Sequence, residues 1–181
     1  MEMSKPRVLN IGCGQDTYGT DRLDIRPTSA TTIVHDVELG IPFPDETFNE
    51  VYSKNNLEHL RNVGFHFDEI RRVLKANGRL VLITDSAMCV RYYVLGTHTG
   101  RYERKHKCDR HYSIFTPNHL VNHLEAAGFK DITWKYVETD TLGRFVDKIM
   151  RRLSFTKGMS YPRIELGATK RNTGASHEDQ D

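Results

Sequence analysis

Apolar positions along the chain change period in a regular order. Residues 7–11 (RVLNI) and 79–84 (RLVLIT) are near-continuous apolar runs, the pattern of parallel strands covered on both faces. Between them DRLDI (21–25) alternates, with Leu23 and Ile25 on one side and Arg22, Asp24 and Arg26 on the other, which predicts a strand buried on one face only. TTIVHD (31–36) and NEVYS (49–53) read as further strands. Over 64–75, Phe67, Ile70, Val73 and Leu74 recur at helical spacing, and Asn77-Gly78 offers a left-handed stop. A second helix is expected from Thr116 as N-cap and Pro117 at its first position to Ala127, ended by Gly128. DITWKYVE (131–138) reads as a strand. DTLGRFVDKIMRRL (140–153) places Leu142, Phe145, Val146, Ile149, Met150 and Leu153 on one helical face, and YPRIELGAT (161–169) closes the series as a strand. No period is legible over 86–114, and the polar tail 171–181 is expected to be disordered.

Strands alternating with helices mid-chain, behind an apolar strand that runs into G-x-G, indicate an α/β class: a Rossmann-like, doubly wound and mostly parallel sheet. The C-terminal strands read as antiparallel additions. A length of 181 residues suits one domain, taken as 1–170 with 86–114 inserted after the fifth strand. The net charge of +2 is too small to announce nucleic acid as a partner for the whole molecule, although it does not exclude one. Three cysteines without a C-x-x-C pair suit reduced thiols, and no run is apolar enough for a signal peptide or a membrane span. The expectation is a cytoplasmic protein.

The glycine loop at Gly12-Cys13-Gly14 lets a ligand approach bare backbone. The dinucleotide fingerprint needs a third glycine at position 17, where Thr17 stands, which argues against an NAD-dependent oxidoreductase. Four blocks in order are more specific: LNIGCG, the acid after the next strand in LDI, HDVELGIPFPDETFNEVYSKNNLEHL, and EIRRVLKANGRLVLITD. Together they resemble the class I S-adenosylmethionine-dependent methyltransferases, in particular the small type 11 group, over roughly residues 7–85. HYSIFTPNHLVNHLEAAGF resembles a later helix of such enzymes.

The resemblance implies a cofactor, S-adenosylmethionine, and a set of residues to hold it. Gly12 and Gly14, with Cys13 as the small residue between them, would lie beneath its methionine part, preceded by Asn10 where many members carry an acid. Asp24 would accept from both ribose hydroxyls, with Ile25 beside it. Asp36 would receive the adenine amino group, with the Val37 N–H toward the ring. Ser53 to Asn56, Ser53 and Asn55 in particular, fall in the stretch that flanks the methyl group. Members normally place a helix between the first two strands; here only Gln15 to Thr20 intervene, and the next connection is also short. An alternative alignment makes 15–24 that helix and Asp36 the ribose acid. It is disfavoured because Thr17, Gly19 and Thr20 are poor helix residues and the I-P-F-P-D block would then come too early. Without the helix, DRLDI borders a face lacking its usual cover, which the helix at 140–153 or a second copy of the chain would supply.

Candidates for a general base lie beyond the fourth and fifth strands: His59, Asp85 and His111, with Asn55 and Tyr92 nearby. His59 could equally pack a helix, and Asp85 could cap the segment after its strand. In HTGRYERKHKCDRHY, the residues His98, His106, Cys108 and His111 match no common zinc spacing, so no metal is expected. Arg101, Arg104, Lys105, Lys107 and Arg110, interleaved with Tyr102 and Tyr112, read either as solvated loop charge or as contacts to an anionic acceptor. The expected partner is a small-molecule or glycan-like acceptor; the competing reading is a non-catalytic Rossmann-like module that binds a protein through its uncovered face.

Overall fold

The computed structural model describes residues 5–89, 92–93, 110–137 and 161–172. Seven strands form one sheet: β1 (Val8–Ile11), β2 (Asp21–Asp24), β3 (Ile33–Val34), β4 (Phe48–Lys54), β5 (Leu74–Asp85), β6 (Phe129–Val137) and β7 (Arg163–Lys170). Their order is β3-β2-β1-β4-β5-β7-β6. The first five are parallel, and β7 inserts antiparallel between β5 and β6. The expected Rossmann-like sheet with antiparallel C-terminal strands is therefore observed.

Two α-helices are described, α1 (Val63–Val73) and α2 (Pro117–Ala126). Asn62 caps α1 by accepting from Phe65 N–H, and Thr116 caps α2 by accepting from His119 N–H. The helices touch each other on one face of the sheet, where Phe67, Ile70, Leu120 and Leu124 meet Leu9, Ile11, Val51, Leu80 and Leu82 with almost no exposure. The stop foreseen at Asn77-Gly78 is not the end of α1. Leu74 is already extended, and the strand begins there without a loop. Asn77, at φ +57°, instead lies in a bulge where Phe48 pairs with Leu74 but Glu50 pairs with Arg79.

The opposite face differs. Register aligns Asn10, Tyr52, Val81 and Gly167 across it, with Glu50, Arg79 and Thr169 in the next row and Lys54, Ile83 and Glu165 in the one after. Most of these are half-buried or exposed, and many are polar. A parallel sheet is normally covered on both sides; here no helix joins β1 to β2 or β2 to β3, as the short connections implied. The connection from Gly12 to Thr20 folds onto this face instead. Tyr18 packs edge-on against Tyr52 with ring centroids 4.9 Å apart, its hydroxyl donates to Glu50 at 2.6 Å, and Asn10 donates to the Tyr18 carbonyl at 3.2 Å. Because β2 spans Asp21–Asp24, the alignment that made 15–24 a helix is excluded. The one-sided reading of DRLDI holds for Leu23 but not for its neighbours: the loop buries Asp24, while Ile25 lies beyond the strand and is 45% exposed.

The amphipathic segment 140–153, most of 86–114 and most of the tail lie outside the described residues. No helix among those described is long and apolar enough to cross a membrane. Phe67, fully buried between the sheet and α2, should be the most costly position on α1 to empty. Phe67→Ala is expected to destabilise the fold by about 3–5 kcal/mol in denaturant titration, and a loss under about 1 kcal/mol would refute this packing.

Candidate functional site

A cleft of about 600 Å³ opens at the carboxyl ends of β1, β2, β3 and β4, where open α/β sheets place their ligands. Its lining includes Asn10, Gly12, Cys13, Gly14, Asp24, Ile25, Asp36, Val37, Asn55 and His59. Ten of the thirteen residues singled out from sequence thus meet in one cavity. Ser53, Asp85 and His111 are not in the lining. Ser53 is wholly buried, and its hydroxyl has no partner among the described residues.

The glycine turn is tied to β2 rather than to a helix. Gly12 and Cys13 donate their N–H groups to the Leu23 carbonyl at 2.8 and 3.1 Å. Gly14 N–H donates to Asp24 Oδ2 at 2.8 Å, and Arg26 N–H donates to Asp24 Oδ1 at 2.9 Å. Each carboxylate oxygen retains a further lone pair for a donor in the cleft. Gly12 sits at φ +69°, and a Cβ there would come within 2.8 Å of the Asn56 side chain, so both backbone and space demand glycine. At Gly14, by contrast, a Cβ would meet nothing within 4 Å; that side of the turn is open. The Cys13 thiol is buried and held above the ordinary thiol range, chiefly by that burial, so it is an unreactive filler.

Asp36 caps a single 3₁₀ turn, Val37–Leu39, by accepting from Glu38 N–H at 3.0 Å. Val37 N–H is the first of that turn and has no intrahelical acceptor by position. Asn55 follows β4 at φ +53°, a left-handed conformation that Asn tolerates; its side-chain oxygen and the Asn56 amide nitrogen are buried with no hydrogen-bond partner among the described residues. Buried polar atoms left unmatched beside a cavity fit a site built for a polar ligand.

Behind this floor stands a histidine pair. His59 Nδ1 lies 3.0 Å from the Arg110 carbonyl, and a carbonyl can only accept, so in the neutral ring Nδ1 carries the proton and Nε2 the lone pair. The His111 ring meets His59 edge-on with centroids 4.7 Å apart, and its Nδ1 lies 3.5 Å from Asp85. Tyr92 reaches Asp85 at 3.2 Å and the Pro162 carbonyl at 2.8 Å, and its hydroxyl is pushed far up by burial. Asp85 and His111 therefore lie behind His59 and outside the cleft lining. Of the four residues considered as zinc ligands only His111 is described, and no cluster of metal-ligating side chains occurs among the described residues.

Sequence reasoning missed Glu58, and it gave Lys54 no role of its own. Glu58 is buried at 2% exposure beside Asp85; it accepts from Thr84 at 2.9 Å, and its backbone carbonyl accepts from Tyr112 N–H at 2.8 Å. That bond returns the chain so that Tyr112 lines the cleft. The signal was an acid inside the apolar run NLEHL. Burial first, and the nearby Asp85 second, raise Glu58 to about 7.

The sequence of this core also matches a known family. Residues 10–82, about two fifths of the chain, match the model of the type 11 methyltransferase domain. Over those residues the chain is similar to a methyltransferase domain. Solved structures agree in fold. A SAM-dependent methyltransferase from Archaeoglobus fulgidus superposes with a TM-score of 0.63 at 16% identity, covering 91% of this chain and 86% of that one. A SAM-dependent methyltransferase of Thermotoga maritima, described as a possible histamine N-methyltransferase, gives 0.64 at 12% identity over 94% and 84%. The Burkholderia thailandensis 1,6-didemethyltoxoflavin N1-methyltransferase, solved with 1,6-didemethyltoxoflavin and S-adenosylhomocysteine, gives 0.63 at 16% over 92% and 72%. No curated protein matches the sequence.

The buried groups generate opposed pH effects. Folding raises Glu58 from 4.5 to about 7, so its contribution to stability declines as pH rises through that interval. Folding lowers His66 from 6.5 to about 4, chiefly by complete burial, so its contribution is lost as pH falls from about 6.5 to 4. Relative to the parent, Glu58→Gln should gain stability as pH rises from about 4.5 to 7, and His66→Phe should gain as pH falls from about 6.5 to 4, each by roughly 3 kcal/mol. Melting curves across roughly pH 4–8 with parallel profiles for parent and variants would contradict this.

Proposed function

We propose that the chain transfers the methyl group of S-adenosylmethionine to a small or medium-sized acceptor. The observation that carries this reading is the convergence, in one cleft and in chain order, of the glycine turn, Asp24, Asp36 and the loop after β4. In this reading Gly12, Cys13 and Gly14 lie under the methionine arm, and Asn10 acts indirectly by fastening the turn. Asp24 offers its remaining lone pairs to the ribose diol, Asp36 and Val37 take the adenine edge, and exposed Ile25 lies against the ring. Ser53 supports the floor from beneath, while Asn55 stands beside the transferred group.

When bound, the cofactor supplies a methyl carbon already activated by its sulfonium. The protein's share is alignment, exclusion of water and, for an acceptor that carries a proton, a base. His59 suits that last role because its lone pair on Nε2 is fixed by the bond at Nδ1. His111 and Asp85 act as positioning residues behind it. Tyr112, half exposed in the lining, offers an aromatic wall to the acceptor. The adjoining Arg110, at the end of a basic run, supports an acceptor with negative charge.

Calorimetric titration with S-adenosylhomocysteine should show saturable binding that weakens roughly tenfold or more in Asp36→Ala. Asp36 is the sharper test than Asp24, which also holds the glycine turn. His59→Gln should leave that binding unchanged while lowering methyl incorporation into proton-bearing acceptors roughly a hundredfold or more. No heat from folded protein would refute the reading.

A further inference from the structure

The missing helix between β1 and β2 leaves an electrostatic gap. In a Rossmann-like sheet the glycine turn opens a helix whose N-terminus carries about half a positive charge, aimed at whatever anion lies on the turn. Here the turn is followed by Tyr18 and β2 and by no helix, so that pole does not exist. The cleft is rich in acids, with Asp16, Asp24, Asp36 and Glu38 in its lining. Such a lining suits the sulfonium and ammonium of the cofactor but repels the carboxylate at the end of its amino-acid arm.

Three fixed cations line the same cavity: Arg26, Lys54 and Arg61. Arg61 is already occupied, since its guanidinium pairs with Glu38 and its own backbone N–H donates to the same carboxylate at 2.6 Å. Arg26 follows β2, beside Asp24 and two strands from β4. Lys54 is different. It is the last residue of β4, and the pairing of Ile11 with Ser53 sets it alongside the first glycine of the turn. It belongs to the sheet face on which no helix is described, in the row of Ile83 and Glu165. No carboxylate among the described residues lies within ion-pairing distance of its ammonium, although Asp16 shares the cavity.

We infer that Lys54 is the counter-charge to the carboxylate of the cofactor's amino-acid arm, standing where the absent helix would have supplied its positive end. The inference rests on the cofactor reading above and deepens it. A lysine has the reach and the three donors for a carboxylate on a flexible arm. Lys54 stands beside Gly12 and shares the cavity with Gly14, where a Cβ would meet nothing within 4 Å, so the turn leaves room for the carboxylate there.

Two ligands separate the possibilities. S-adenosylhomocysteine carries the amino-acid arm; 5′-methylthioadenosine keeps the adenosine and the sulfur but lacks that arm. Calorimetric titration of the full chain should show Lys54→Met binding S-adenosylhomocysteine roughly tenfold or more weakly, with 5′-methylthioadenosine bound as by the parent. Lys54→Arg should recover most of the lost affinity, and raised salt should weaken the parent's binding of S-adenosylhomocysteine more than the Met variant's. Equal loss for both ligands, or loss for neither, would overturn the role of Lys54 while leaving the cofactor reading intact. If the parent binds neither nucleoside, the cofactor reading itself fails and this inference with it.

Discussion

The two hydrogen bonds that Asp24 accepts, from Gly14 and Arg26, are the constraint on which the site depends. A glycine turn is useful because its amides are bare, but bare backbone has little to hold its shape. In a full doubly wound domain the next helix would fix it. Here a buried carboxylate does so, helped by Leu23 and by the Asn10 tie to Tyr18. The same acid then has a double duty, structural toward the turn and receptive toward the cleft. Removing it would unfasten the turn as well as a ligand contact, which makes loss of binding in such a variant ambiguous.

The buried strands and the open glycine turn were legible in the sequence because they rest on short-range rules. The runs RVLNI and RLVLIT declare buried strands, and G-x-G after the first declares a turn open to a ligand. What misled was punctuation. Asn77-Gly78 has the chemistry of a helix stop and equally that of a bulge; only the register between β4 and β5 decides, and register is a tertiary fact. Ile25 failed for a related reason: alternation assumes the strand continues, and β2 ends at Asp24. Glu58 was illegible because an acid in NLEHL reads as surface until Thr84, Asp85 and Tyr112 are brought around it by chain far away in sequence.

Asp85 and His111 differ from His59 in depth. Both are chemically suited to proton transfer, and both sit beyond the strand where acceptors are found, yet they are packed behind His59 and not in the lining. Position along a sheet end is therefore a coarser guide than exposure to the cavity. Among the three candidate bases, His59 alone combines a lone pair of fixed orientation with access to the cleft, and the edge-on His111 ring restricts how it can turn.

Loss of two crossover helices should cost a parallel sheet its cover, and the polar alternation of Glu50, Tyr52, Lys54, Arg79, Glu165 and Thr169 shows how that cost is reduced. A face that reads polar in every second position tolerates water. The same alternation puts charge where a covered sheet would have Val or Ile. Lys54 is one of those positions. In a thick, helix-covered domain a lysine there would be buried without a counter-ion and strongly disfavoured. The pared scaffold thus both removes a helix dipole and makes room for a side-chain cation on the strand next to the turn, and one structural change accounts for the two.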